Sequence, residues 1–151
     1  MTPRLQGLLR ANVVLVADVA VGASVTPATG AGTYRAKARS SVQAAISETE
    51  TTRITLQNLE RGRIFDPTAD EIVTANETAL GSIAATFGSV QPPAGNDRLR
   101  DETAQLLSDA EDAVAAARIA VRRSDPAGIQ DALTDVQKVA KQLDQAEKDL
   151  S

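Results

Sequence analysis

The sequence predicts an all-α fold, an antiparallel up-and-down four-helix bundle preceded by an N-terminal hydrophobic segment. Three observations predict it. Leu107, Ala110, Val114, Ala117 and Val121 recur at alternating steps of three and four, which lines them along one side of a helix. Breaks at Gly62 to Pro67, Pro92 to Gly95 and Ser124 to Pro126 divide the chain into pieces of helix length. With two Phe, one Tyr and no Trp, the core must be built from Leu, Val, Ile and Ala. Such a core suits closely approaching helices better than a thick sandwich. A chain of 151 residues is one ordinary domain, which buries roughly 68–70% of its unfolded surface when it is all globular.

Residues 1–31 read as a signal-like or membrane-anchor segment with its linker. Arg4 and Arg10 precede a run from Ala11 to Val25 in which Asp18 is the only charge, and small residues including Ala28 and Ala31 follow. Basic, then apolar, then small is the order of a secretory signal or an uncleaved anchor. Asp18 opposes insertion, since an Asp near the centre of an inserted helix costs ~2.5–3.5 kcal/mol against ~0.3–0.6 kcal/mol gained per Val or Leu. Arg35, Lys37 and Arg39 on the far side also weaken any positive-inside bias. The competing reading makes Leu8 to Val21 a buried helix of a cytosolic protein. Thr26 to Thr33, small and Pro-interrupted, reads as cleavage region or linker under either.

Residues 32–151 hold the four helices, expected at about 34–61, 67–90, 97–123 and 126–150. The first carries Val42, Ala45, Ile46, Thr49, Arg53, Leu56 and Leu59 on a common side and stops at Gly62. Asp66-Pro67 then supplies an N-cap and a first-turn proline for the second, with Thr68, Asp70 and Glu71 beside the free N–H groups. Val73, Leu80, Ile83, Phe87 and Val90 form its seam. Asn96 or Asp97 caps the third helix, which ends in Arg118, Arg122 and Arg123. Ser124-Asp125-Pro126 repeats the cap-and-proline start, and Ile129, Leu133, Val136, Ala140, Leu143 and Leu150 form the fourth seam. Seams this narrow also permit pairing between chains as a homodimer.

The residue inventory excludes much chemistry. There is no His and no Cys, which removes disulfides, thiolate and histidine catalysis, most zinc sites and the lipidated cysteine of a lipoprotein. A net charge of −4, well mixed along the chain, argues against nucleic acid. The acids Glu48, Glu50, Asp70, Glu71, Asp101, Glu102, Asp109, Glu111 and Asp112 lie mostly off the apolar stripes and read as a solvated face. No catalytic, metal or cofactor residues are predicted, and no cofactor. Three smaller features have a functional and a plain reading: Arg118, Arg122 and Arg123 as a phosphate or lipid head-group site or as dipole complement; Tyr34 as an interfacial anchor; and Asn76-Glu77-Thr78 as a glycosylation triplet or chance.

At TYRAKARSSVQ (33–43), TFGSVQPP (86–93), DRLRDE (97–102), LLSDAEDA (106–113) and RIAVRR (118–123) the chain resembles small actinobacterial proteins of unknown function with an N-terminal hydrophobic segment and an Ala-rich helical domain. The resemblance implies location only. The expectation is therefore a non-enzymatic, exported or membrane-anchored interaction or structural module of the bacterial envelope. Its membrane association would run through residues 8–25, and its partner is a protein not identified by sequence. The alternatives are a cytosolic helical adaptor or chaperone-like protein, and a sensor-like bundle binding a small ligand between its helices.

Overall fold

The computed structural model describes residues 26–27 and 30–151, and over them the chain is an all-α four-helix bundle. The signal-like stretch, with Leu8 to Val25 and Asp18, lies outside the described residues. The helices are α1 (Ala31–Glu60), α2 (Asp66–Gly88), α3 (Asp97–Arg122) and α4 (Pro126–Asp149). A two-residue parallel pairing joins β1 (Thr26–Pro27) to β2 (Val90–Gln91), with Thr26 opposite Val90 and Pro27 opposite Gln91.

Cross-helix side-chain contacts fix the directions. Gln130 Nε2 donates to Glu60 at 2.6 Å and Arg39 Nη2 to Glu147 at 3.0 Å, so rising numbers on α1 meet falling numbers on α4. Arg122–Asp70 and Arg118–Glu77 show the same for α2 and α3. Each helix packs on its sequence neighbours and α4 closes back on α1. Across the diagonals α1 touches α3, while α2 and α4 do not meet. Small buried residues explain the asymmetry. Ala38, Ala45, Thr49 and Thr52 on α1, with Ala110, Ala113, Ala117 and Ala120 on α3, let those two axes approach.

All five residues of the α3 seam, Leu107, Ala110, Val114, Ala117 and Val121, are buried. Val42, Ala45, Thr49 and Leu56 of α1 are buried too, as are Val73, Leu80 and Phe87 of α2 and Ile129, Val136, Ala140 and Leu143 of α4. Ile46, Leu59, Ile83, Val90, Leu133 and Leu150 flank this core, partly covered.

The chain departs from the sequence reading at several ends. Ala31 to Thr33, expected in the linker, are the first turn of α1, because Tyr34 is buried against Phe87 and carries that turn into the fold. Thr26–Pro27, also expected in the linker, is paired backbone. Helix α2 ends at Gly88, freeing Val90 for that pairing. The N-cap of α2 is Phe65, not Asp66: its backbone is extended and its carbonyl accepts the Ala69 N–H at 3.0 Å. Asn96 and Asp125 occupy the N-cap positions of α3 and α4 without a side-chain cap bond.

Both helix-to-helix turns at the far end of α1 close in the same way. After α1, Gly62 N–H bonds Leu59 carbonyl at 2.9 Å and Arg63 N–H bonds Asn58 carbonyl at 2.9 Å, with Gly62 at φ +65°. After α3, Ser124 N–H bonds Val121 carbonyl at 2.9 Å and Asp125 N–H bonds Ala120 carbonyl at 3.1 Å, with Ser124 at φ +47°. These are the paired 5→2 and 6→1 bonds that satisfy last-turn carbonyls through a left-handed residue. Gly62→Ala is expected to destabilise the bundle by about 1–2 kcal/mol, the cost of a Cβ in that conformation, read as a fall in the denaturant midpoint at constant slope. An unchanged midpoint would show that the left-handed turn is not held in solution.

Electrostatics add a pH-dependent clamp at the other end. Glu147 accepts Arg39 Nη2 at 3.0 Å and Gln43 Nε2 at 3.0 Å on one oxygen. The Arg39 hydrogen bond first, and the Gln43 bond second, hold its carboxyl below the usual glutamate value. A carboxyl lowered in the folded state contributes stability above the unfolded value near ~4.3, and that contribution is lost as pH falls through the folded value. An Arg39→Met/Gln43→Met double variant is therefore expected to melt below the parent at about pH 6 and to approach it as the pH falls below the usual glutamate range. A gap that persists in acid would place its origin in packing instead.

Candidate docking end of the bundle

The end formed by the α1–α2 and α3–α4 turns gathers the surface features that the fold does not consume. Phe65 is 81% exposed, Ile54 49% and Ile119 43%, and these are the exposed large hydrophobic residues among those described. Phe65 lies in the α1–α2 turn, Ile54 in the last two turns of α1 and Ile119 in the last turn of α3, all toward the same end. Arg61, Arg63, Arg122 and Arg123 are exposed there as well. Arg61, Arg63 and Arg123 make no ion pair among the described residues, whereas Arg122 Nε donates to Asp70 at 2.8 Å.

The two turns are tied together. Ser124 Oγ donates to the Asp66 carboxylate, and Gln130 Nε2 to that of Glu60. Between them opens a cleft of about 390 Å³ with apolar walls from Leu59, Pro126 and Ile129 and with Glu60 and Asp66 among its lining. Phe65 is not part of that lining, although its chain neighbour Asp66 is.

The N-cap assignment sharpens this. A Ser, Thr, Asp or Asn at that position would accept an orphan N–H of the first turn, typically worth ~1 kcal/mol. Phe65 makes no such bond and leaves its ring in water. A position that forgoes a local stabilisation with no gain inside the chain is where a functional demand is expected.

Other candidate residues take structural roles. Arg118 packs half-buried on Glu77 through Nε and, at 3.2 Å, Nη2. The Glu77 hydrogen bond raises the guanidinium's affinity for its proton, with desolvation opposing it. With Arg122 on Asp70, two of the three arginines considered for phosphate join α3 to α2. Tyr34 is not an interfacial anchor. It is fully buried, its ring 5.7 Å from that of Phe87 at a tilt of 38°. Burial pushes its phenol above the usual value, nearby Arg100 opposing. Asn76 of the glycosylation triplet is also buried, on a helix, donating to Thr52 Oγ1 at 2.9 Å. A native bundle therefore does not offer that amide to a transferase.

The acids are dispersed. Glu50 pairs with Arg53 at 2.8 Å, Asp101 with Arg100 at 2.9 Å, Glu102 with Arg98 at 2.6 Å, and Asp109 accepts Gln105 at 2.8 Å. Among the described residues no group of three or more acids is placed to hold a metal ion. Comparison with protein-family models, curated proteins and solved structures gave no match.

Sequence reasoning missed this end because its parts are far apart in the chain. One signal was present. Ile64-Phe65 is an apolar pair directly before Asp66-Pro67 and directly after Arg61-Gly62-Arg63, which places a large ring where a turn wants a small polar residue.

Proposed function

We propose that this chain is a non-enzymatic interaction module of the bacterial envelope, a helical bundle displayed by its N-terminal segment that docks a protein partner at its turn end. The observation that carries the reading is the exposed Phe65 at a cap position, at the same end of the bundle as the exposed Arg61, Arg63 and Arg123. Aromatic residues and Arg are the types enriched at the centres of protein interfaces. Chain direction agrees with this assignment. Residues 26–27 and the start of α1 lie at the opposite end, beside β2, so a tether leading into them leaves the Phe65 end facing outward. No described helix is long and apolar enough to cross a membrane, and attachment in this reading rests on residues 8–25.

Two experiments test the two halves. The chain contains no Cys, so an Ala104→Cys variant carries one thiol on an exposed position of α3. A membrane-impermeant maleimide is expected to label it in intact cells, and labelling only after lysis would overturn the envelope assignment. For docking, a photo-crosslinking phenylalanine analogue at position 65 is expected to form discrete protein adducts in the host, with none from the same group at exposed Lys141. Equal patterns at both positions would remove the assignment of the turn end.

A further inference from the structure

We propose that the groove between α1 and α2, toward the end where α1 begins, binds a phosphate that carries a neighbouring hydroxyl, the chemistry of glycerol phosphate free or in a lipid head group. The groove has a volume of about 210 Å³. Lys37, Ser40 and Ser41 line it from α1 and Ser82 and Thr86 from α2, with Ala44 and Ile83 as its apolar part. It lies away from the α1–α2 turn, so it stands whether or not Phe65 docks a protein.

Charge in this groove has one sign. The chain carries 20 Asp and Glu, yet none falls between residues 33 and 47 or between 78 and 96, the stretches that supply both walls. Two of the neighbouring cations are engaged elsewhere, Arg35 donating to the Asp149 carbonyl and Arg39 to Glu147, both on α4. Lys37 is half-buried and makes no ion pair among the described residues. Its ammonium is left for an anion from outside, and Lys serves phosphate as a point charge.

Ser41 is a second, independent observation. It is 6% exposed, and its hydroxyl makes no hydrogen bond among the described residues. Ser47, Thr51, Thr52 and Thr55 on the same helix each donate to the carbonyl four residues back. Nor is Ser41 among the unbonded groups sealed from solvent, which are the hydroxyls of Tyr34, Thr49 and Thr74. What remains open of this residue is therefore its hydroxyl, on the groove that it lines. A nearly buried hydroxyl without a bond is unfavourable, and a ligand oxygen there removes the penalty.

Ser82 selects the other half of the ligand. Its proton goes to the Thr78 carbonyl at 3.0 Å, so its oxygen offers lone pairs only. Lys37, Ser40, Ser41 and Thr86 can donate to phosphate oxygens, while Ser82 accepts from a hydroxyl. Sulfate has no hydrogen to give it, and glycerol phosphate has.

The test titrates the full chain with glycerol phosphate, and separately with sulfate at equal ionic strength, and follows the backbone amide resonances. Saturable shifts are expected over residues 37–44 and 82–86 at roughly millimolar concentration, with sulfate the weaker ligand. Lys37→Met, which keeps the aliphatic stem, should weaken binding about tenfold. Ser82→Asp, at an exposed position, should abolish it with circular dichroism unchanged. Vesicles assign the source. Phosphatidylglycerol vesicles that hold the parent chain more tightly than these two variants, while phosphatidylcholine vesicles hold all three alike, identify the lipid head group. Saturable groove shifts in glycerol phosphate, with vesicles that do not distinguish the variants, identify the free ester. Sulfate that binds as tightly as glycerol phosphate, or shifts that fall outside the groove or persist in Lys37→Met, overturn the proposal. So does the absence of any saturable shift together with vesicles that do not distinguish the variants.

Discussion

Replacing Phe87 by Ala is expected to destabilise the bundle by about 3–5 kcal/mol, the range for removing a buried aromatic ring from a core. Phe87 is 1% exposed, and it is the ring on which Tyr34 rests. Its loss leaves a cavity at the end where α1 begins, and strips the cover from a phenol whose hydroxyl already lacks a hydrogen-bond partner. For a chain of this size each kcal/mol lowers the melting midpoint by roughly 2–4 °C, so a fall of about 6–20 °C is the measurement that checks it. The first turn of α1 should loosen with it, seen as faster amide exchange over residues 34–38. A fall of only a degree or two would mean that the Tyr34–Phe87 contact does not hold the start of α1.

Thr49→Val is expected to act in the opposite direction. Thr49 is fully buried in α1 and its Oγ1 has no hydrogen-bond partner. Its neighbours on the helix are satisfied: Thr52 donates to Glu48 carbonyl at 3.0 Å and Thr55 to Thr51 carbonyl at 2.8 Å. Val keeps the shape and removes a desolvated hydroxyl whose unmade bond costs about 1–3 kcal/mol, so the midpoint should rise by a corresponding amount. The same exchange at Thr52 should destabilise, because Thr52 Oγ1 also accepts the buried Asn76 amide at 2.9 Å and its loss strands that donor. A destabilised Thr49→Val would show that this hydroxyl is bonded in solution.

The contrast between Thr49 and Thr52 also shows where reading the sequence stops. The α3 seam was visible because Leu, Val and Ala recur against a charged background, and burial followed the periodicity residue by residue. On α1 the same geometry is written partly in Ser41, Thr52 and Thr55, and on α2 and α3 in Asn76 and Thr103, all buried. A hydrophobicity pattern counts those residues as outward; Thr52 and Asn76 are partnered with each other across the bundle, and Thr55 donates to the Thr51 carbonyl of its own helix. Arg53, placed on the apolar side by spacing, is half-buried and bound to Glu50, the outcome expected for a long side chain at the edge of a seam. Helix ends at Gly62 and Pro126 could be read locally, since a left-handed glycine and a first-turn proline are local chemistry. The start of α1 could not, because it depends on a ring from α2. The turn-end cleft depends on Leu59 and Ile129, seventy positions apart, which no window along the chain brings together.

The pairing of Tyr34 with Phe87 has an optical consequence. With one Tyr and no Trp, near-ultraviolet absorption and emission above 300 nm come essentially from a single phenol at one extremity of the molecule. That extremity is separated from Phe65 by the length of α1, 30 residues or about 45 Å at 1.5 Å per residue. Tyrosine emission thus reports melting of the α1 start and is silent to events at the turns. A Phe65→Trp chain gains a second colour at the other extremity, excitable on its own at wavelengths where tyrosine is dark. One sample then reports, in separate channels, whether the two extremities come apart together or one before the other.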